Sequence, residues 1–319
     1  MRVAGAVTVA ACALWLPDDA YPATLAQERG VLLPADSSGE DFEQLPTSDR
    51  TATEMACLAA RRALDSAEVR PQKLGLLVHS WVYDQGPGTW TPPHRVAREL
   101  NALGCPAIGV HQMSNGGGGA LQLAVAHLLA EPRAGAALVT TADVFGVLPY
   151  DRWQSVPPLG DGATATVLTR GRGPQVVEAI ASAGNNGLEL AYPTSHPFER
   201  SVRRYEPPSR ATLREISRCV RRAVDEVLDD AALYADSPTI TAVLLPRIGR
   251  TLSDHLTATA LPAALRDKVV RVGQRTGHLG CGDLPANLAE HPPPGQGEHH
   301  LHVSVGAGVS STCLLTRGQ

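Results

Sequence analysis

Aromatic side chains make up 4% of the 319 residues, so a core of this size has to be packed by aliphatic side chains and alanine. A basic excess is missing too. The formal net charge is −4, which excludes the positive field that nucleic-acid binding requires. The six cysteines (Cys12, Cys57, Cys105, Cys219, Cys281, Cys313) contain no C-x-x-C pair and mostly sit in apolar surroundings. That excludes the usual structural zinc spacing and points to free thiols in a reducing, cytoplasmic setting. His299, His300 and His302 cluster without acidic or thiol ligands at metal spacing, and are expected to be solvated edge histidines rather than a metal site. No apolar run reaches transmembrane length, so no membrane association is expected. The first run, Met1 to Leu16, reads as a buried strand closed by Pro17, with a signal peptide as the alternative.

What is there is 43% hydrophobic and 19% charged, the composition of a globular protein long enough for about two units of ~150 residues. The most informative stretch runs from Ala107 to Leu129. A short apolar run ends near Val110, Ser114 follows in a turn, four glycines come next, and Ala120 to Leu129 forms a helix apolar enough to be buried. A serine there faces the positive end of a helix dipole, and glycines beside it let a substrate carbonyl approach the main chain. The alternative is a Gly-rich loop with a serine as helix cap.

Elements alternate along the rest of the chain. Residues 17–50 read as surface loop with a short helix, Thr51 to Ala67 as an amphipathic helix, and Leu74 to Ser80 as a buried strand. Trp81 to Pro93 is a loop long enough to form a functional rim, and Val96 to Leu103 a helix. Ala136 to Ala142 and the stretch after Gly160 are strands. The pattern then restarts: strand Val176 to Ala183, polar loop 184–208, helix Ala211 to Leu233, strand Thr239 to Leu245, helix Thr251 to Leu261, short strand Lys268 to Val272, helix Leu284 to Glu290, and strands Leu301 to Val305 and Ser311 to Leu315. This is an α/β class with two halves of similar order.

Three motifs carry a family resemblance. They are Ser114-Asn115-Gly116 between a strand and a buried helix, the turn Gly160-Asp161-Gly162-Ala163, and the closing Val305 to Thr312 with its Gly306-Ala307-Gly308. In that order and spacing the chain resembles the thiolase superfamily, and within it the ketoacyl-ACP synthase III group. The resemblance implies a thiolase-like fold of two duplicated halves layered α-β-α-β-α, an N-terminal half at 1–172 carrying the nucleophile and a C-terminal half at 173–319. Members that condense malonyl groups have a cysteine nucleophile, a histidine after proline and an asparagine after glycine. Here those places read Ser114, Arg247 in Leu245-Pro246-Arg247, and His278 in Gly277-His278-Leu279-Gly280-Cys281-Gly282-Asp283. That pattern is similar to a subgroup of polyketide and other secondary-metabolite pathways, part of which has serine as nucleophile.

The resemblance implies roles that the chemistry can support. A serine hydroxyl is protonated at neutral pH and needs a general base, unlike a thiol of pKa about 8.5. The resemblance places His278 across from Ser114, and Asp283 would orient the imidazole; the alternative for Asp283 is a cap on the following helix. His196 is a second candidate base, and His111 is expected in the core or at a dimer contact. Main-chain N–H groups of Ser114 and of Gly308, Val309 and Ser310, with Asn115 nearby, would form the oxyanion and substrate contacts. Arg152 and Trp153 lie near the place where related enzymes hold the nucleotide of coenzyme A, and arginines 200, 203, 204, 210 and 214 could receive an acidic carrier protein or simply be a solvated face.

The expected function is therefore an acyltransferase that moves an acyl group from an acyl-carrier-protein or coenzyme A thioester, through Ser114, to a hydroxyl or amine acceptor. No cofactor beyond that thioester substrate is expected, and a homodimer is implied through the strand near 105–111. Alternatives are a starter-unit ketosynthase, a non-catalytic partner subunit and a thioester hydrolase.

Overall fold

The computed structural model describes residues 1–32, 41–171, 173–191 and 208–319. The first part of the chain contains β1 (Arg2–Trp15), β2 (Ala20–Pro22), α1 (Ala23–Glu28), β3 (Gln44–Pro46), α2 (Ala52–Ser66), β4 (Leu74–Ser80), α3 (Pro92–Glu99), β5 (Ala107–Val110), α4 (Gly116–Ala130), β6 (Ala136–Asp143) and β7 (Gly162–Thr169). The second contains β8 (Gln175–Gly184), α5 (Arg210–Asp230), β9 (Ile240–Leu244), α6 (Arg250–Thr259), β10 (Val269–Val270), α7 (Asp283–Glu290), β11 (His299–Gly306) and β12 (Ser310–Gly318).

Ten strands form one sheet in the order β10-β9-β11-β12-β8-β1-β7-β6-β4-β5. Outward from its centre the two sets repeat each other. β1 pairs antiparallel with β7, β7 antiparallel with β6, and β6 and β4 parallel with their outer neighbours. β8, β12, β11, β9 and β10 follow the same succession of directions. The sets join where β1 meets β8 antiparallel at Val7–Val177 and its neighbours. Duplicated topology is thus visible in strand order and direction, although no residue-level repeat is seen.

Burial explains the layers. Strand β6, Ala-Ala-Leu-Val-Thr-Thr-Ala-Asp, is buried throughout, the run expected of a strand covered on both faces. One face of the first set packs on α2 and α3 through Met55, Ala59, Ala63, Leu77 and Val96. The corresponding face of the second packs on α5 and α6 through Val220, Val224, Val243, Leu256 and Leu301. Between the sets lie α4 and α7, with Leu121, Ala124, Val125, Leu128, Leu284 and Leu288 against side chains of both. The order is α-β-α-β-α, as the family resemblance implies. α2 starts where the sequence says it should. Thr51 accepts from Glu54 N, and the Glu54 carboxylate returns to Thr51 N at 2.9 Å, closing a capping box.

Four expectations shift. α4 begins at Gly116 rather than Ala120, because packing holds four residues of poor intrinsic propensity in helical form. α3 lies at Pro92–Glu99 rather than 96–103, and Pro92-Pro93 open it, proline being tolerated in a first turn that needs no N–H partner. α5 runs from Arg210 to Asp230 rather than to Leu233. The histidine cluster is not solvated: His299, His300 and His302 are buried on β11, which lies between β12 and β9, and burial pulls His300 down to about 4 and His302 to about 3. Among the described residues no group of His, Cys, Asp or Glu is arranged to hold a metal, all six cysteines are free, and no helix is long and apolar enough to cross a membrane.

Candidate active site

The chain leaves β5, turns at Met113, which takes a positive φ of 47°, and enters α4 three residues later. A left-handed backbone costs a non-glycine residue roughly 1–2 kcal/mol, and it turns the chain sharply at the residue before Ser114. The N-cap of α4 is Asn115, which makes no side-chain cap, so the Ser114 hydroxyl is not a helix cap. It points at an imidazole instead: Ser114 Oγ lies 2.8 Å from His278 Nε2. The close approach of α4 to the loop bearing His278 depends on its glycines. A methyl at Gly117 would stand 2.3 Å from the Cys281 carbonyl and 3.1 Å from the Pro285 ring.

His278 is held from both sides. Its Nδ1 lies 2.6 Å from Asp283 Oδ2, so the ring carries its proton on Nδ1 and presents a bare Nε2 to the serine. Its main chain bridges to the segment before the Gly-Asp-Gly-Ala turn, His278 N donating to Pro158 O at 2.9 Å and Gly160 N to His278 O at 3.0 Å. Asp283 is 1% exposed and also accepts from Leu279 N at 2.9 Å through Oδ1 and from Arg247 N at 2.8 Å through Oδ2. It opens α7 as its first residue, with Gly282 as the N-cap, so the negative charge also faces the helix's positive end. Ser114 is half-buried while His278 and Asp283 are buried. Such an arrangement activates a hydroxyl without metal or cofactor groups of its own.

The other expected residues separate. Asn115 is fully buried, donating to Gln112 Oε1 at 3.0 Å. The Val309 N–H is spent on Asn185 O at 3.3 Å, and its carbonyl accepts from Asn185 N at 2.9 Å, which leaves Gly308 and Ser310 as the members of that turn to consider as donors. Ser304, on β11, donates to the Ser114 carbonyl at 3.3 Å and so ties the second set to the turn that carries Ser114. Arg152 and Trp153 are corrected from a nucleotide-binding to a buried structural place. The guanidinium of Arg152 is divided between Asp161 (2.9 and 3.2 Å) and the Pro46 carbonyl (2.9 Å), and Trp153 is 1% exposed in a cluster with Leu32, Phe42 and Leu45. His111 is exposed rather than in the core, with Nε2 3.1 Å from Val82 O and its ring against Trp81. His196 and arginines 200, 203 and 204 lie outside the described residues.

Two neighbours were not singled out from the sequence. Asp143, at the end of β6, is fully buried and accepts from Val82 N and Tyr83 N at 2.8 Å each, anchoring the rim loop; burial raises its pKa to about 7. Cys281, between His278 and Asp283, donates to Asp143 Oδ2 at 3.6 Å, and burial holds its thiol well above the ordinary range. Such burial keeps the thiol protonated, the form that is the weaker nucleophile.

No protein-family model matches the chain. A curated relative, the beta-ketoacyl-[acyl-carrier-protein] synthase III of Blochmanniella pennsylvanica (strain BPEN), is 26% identical over 294 residues, 88% of each chain. Among solved structures the acyltransferase ChlB3 superposes with a TM-score of 0.87 at 28% identity, covering 98% of this chain and 97% of its own. The tetronic acid condensing enzyme AbyA1 superposes at 0.81 with 21% identity over 98% and 100% of the two chains. The fold is that of the thiolase-like synthases of the ketoacyl-ACP synthase III type.

Proposed function

We propose that this ketoacyl-ACP synthase III-like, thiolase-fold enzyme is an acyltransferase that works through an ester on Ser114 and passes the acyl group to a hydroxyl or amine acceptor in natural-product biosynthesis. The observation that carries the reading is the relay Ser114 Oγ–His278 Nε2 at 2.8 Å and His278 Nδ1–Asp283 Oδ2 at 2.6 Å. Similarity to the acyltransferase ChlB3 supports it.

In the first half-reaction Ser114 Oγ attacks the thioester carbonyl while His278 Nε2 takes its proton. The tetrahedral oxyanion is met by main-chain N–H groups near Ser114 and the Gly308 turn, and Asp283 stabilises the imidazolium. Collapse expels the thiolate, which receives the proton from Nε2. In the second half-reaction Nε2 accepts the proton of the acceptor's hydroxyl or amine, which attacks the ester, and returns it to Ser114 Oγ as the product leaves. No step calls on a group that stabilises the enolate of a decarboxylating malonyl unit, and Arg247, at the place of the family's histidine, has each guanidinium nitrogen bonded elsewhere.

The donor is a thioester of coenzyme A or of a carrier protein, for which the exposed Arg210 and Arg214 of α5 offer an acidic partner a basic face. We read the chain as two halves divided near 172, acting in the cytoplasm as a homodimer. β5 forms one edge of the sheet, and Ile108 on it is 45% exposed; pairing of two such edges would cover it.

Intact-mass spectrometry after exposure to a panel of acyl thioesters tests the function. A Ser114-dependent adduct that clears on adding an alcohol or amine acceptor is expected. Clearance by water at the same rate would make the protein a hydrolase, and release of carbon dioxide with malonyl-carrier protein a condensing enzyme. No adduct with any thioester would sink the acyl-enzyme reading.

A further inference from the structure

One of the three donors on Asp283 belongs to a residue that touches neither the serine nor the imidazole. The Arg247 N–H lies 2.8 Å from the same Oδ2 that accepts from His278. The rest of Arg247 is buried at 1% exposure, and its fork is divided three ways. Nε donates to Asn287 Oδ1 at 2.9 Å, Nη1 to Thr276 Oγ1 at 2.9 Å, and Nη2 to Glu290 Oε2 at 2.5 Å. Asn287 and Glu290 lie on α7, the helix that opens with Asp283, and Thr276 lies two residues before His278. The Thr276 hydroxyl passes its own proton to the Gly277 carbonyl at 2.9 Å, and the Asn287 amide returns to Leu245 O at 2.9 Å. A single planar cation thus joins the helix that carries the carboxylate, the loop that carries the imidazole, and the strand end that supplies the third donor. Gly273 leaves room for its stem, since a methyl there would stand 2.8 Å from Arg247 Cβ and Cγ.

Packing alone does not account for an arginine here. The only carboxylate on its guanidinium among the described residues, Glu290, is 43% exposed, and a buried charge so weakly compensated is commonly less stable than an apolar side chain of the same volume. Lysine keeps the charge but cannot span three acceptors in one plane.

We propose that Arg247 is a positioning residue of the acyl transfer. Its guanidinium sets the separation and angle of Asp283 and His278, and through them the direction in which Nε2 faces Ser114. The proposal rests on the reading of Ser114 as nucleophile and His278 as base.

The test measures single-turnover acylation by acetyl and hexanoyl N-acetylcysteamine thioesters, read by intact mass, for Arg247→Lys in three backgrounds. Acylation should slow about 100-fold in the native background, the scale of an ångström-sized misplacement of reacting groups. In an Asp283→Asn background the further loss should shrink to about threefold or less, because coupled residues are not additive. In a Ser114→Cys background it should also be small, since a thiolate leans less on the base. Thr276→Val removes one acceptor on the histidine loop and should slow the native enzyme about tenfold by the same route, so the proposal stays testable if Arg247→Lys does not fold. Equal losses in all three backgrounds, or rates for both variants within about threefold of native, overturn it. A failure of the underlying reading looks different: with Arg247 intact, the protein would give no Ser114-dependent adduct.

Discussion

Replacing Asp283 with asparagine separates what the carboxylate does by charge from what it does by shape. Oδ2 accepts from both His278 Nδ1 and Arg247 N, whereas Oδ1 accepts from Leu279 N alone. An asparagine has one oxygen. Placed at the Oδ2 position it satisfies two donors and leaves one N–H facing the amide NH2; turned over, it opposes two donors and satisfies one. An unmet buried donor costs about 1–3 kcal/mol, so the first orientation wins, and the imidazole keeps its proton on Nδ1. What is lost is the charge. The difference between a charge-assisted and a neutral hydrogen bond, about 1.5 kcal/mol, sets a lower bound near tenfold. The Coulomb attraction between carboxylate and imidazolium, about 4 kcal/mol at 4 Å with an effective dielectric of 20, sets an upper bound near 10³-fold. Asp283→Asn should therefore slow Ser114 acylation about 10²-fold in a quenched-flow, intact-mass assay. A loss near 10⁴-fold, the scale of an inverted tautomer, would refute the argument about orientation. A rate within about threefold of native would show that Asp283 does not serve the base at all.

Ser114→Ala should give no covalent adduct. His278→Ala should slow its formation by about two to four orders of magnitude, and by much less in a Ser114→Cys background; equal losses in the two backgrounds would count against His278 as the serine's base. Gly117→Ala should destabilise the fold by about 1–3 kcal/mol in urea melts, because its methyl would stand 2.3 Å from the Cys281 carbonyl, and an unchanged midpoint would mean that α4 can move away at no cost. Asp143, pushed up to about 7 from 3.8, keeps its proton in the folded chain over a range where the unfolded chain has released it. Native stability therefore falls as pH rises from about 4 to 7, by up to about 4 kcal/mol, and Asp143→Asn should gain on the native protein across that interval in thermal melts. A pH-independent difference between the two would contradict this. Sedimentation at micromolar concentration should give a dimer, and a monomer would rule out pairing through β5.

The strand–serine–helix stretch, the amphipathic helix beginning near Thr51 and the alternation of β and α were legible because each is a local pattern whose physics needs no partner. The start of α4 was not. Propensity argues against four glycines in a helix, and of the groups packed closest to them Ser80 and Gln112 are nearer in the chain while Cys281, Pro285 and Thr312 lie more than 150 residues away. The meeting of Ser114 with His278 was equally non-local, and it followed only from the family resemblance. The nucleotide-binding place of Arg152 and Trp153 came from the family resemblance alone, whereas Asp161 and the Leu45 cluster draw both side chains inward. Arg247 was noticed only as a missing histidine. Its role depends on Thr276, Asn287 and Glu290, whose spacing has no periodicity to reveal it.

The glycine turn that begins α4 also bears on the order of events during synthesis. Four glycines weaken that end of the helix by about 1 kcal/mol each relative to alanine, so its first turn has little tendency to form until something packs against it. Three of the packing partners, Cys281, Pro285 and Thr312, leave the ribosome more than 150 residues after the glycines, and His278 and Asp283 more than 150 residues after Ser114. Domains emerge N-terminus first at about 5–20 residues per second, which leaves an interval of some seconds in which Ser114 is outside the ribosome with neither a formed turn nor a base. During that interval the hydroxyl is an ordinary serine, inert toward the thioesters around it. On the function proposed above, the nascent chain is thus spared acylation until the residues that would activate Ser114 have emerged.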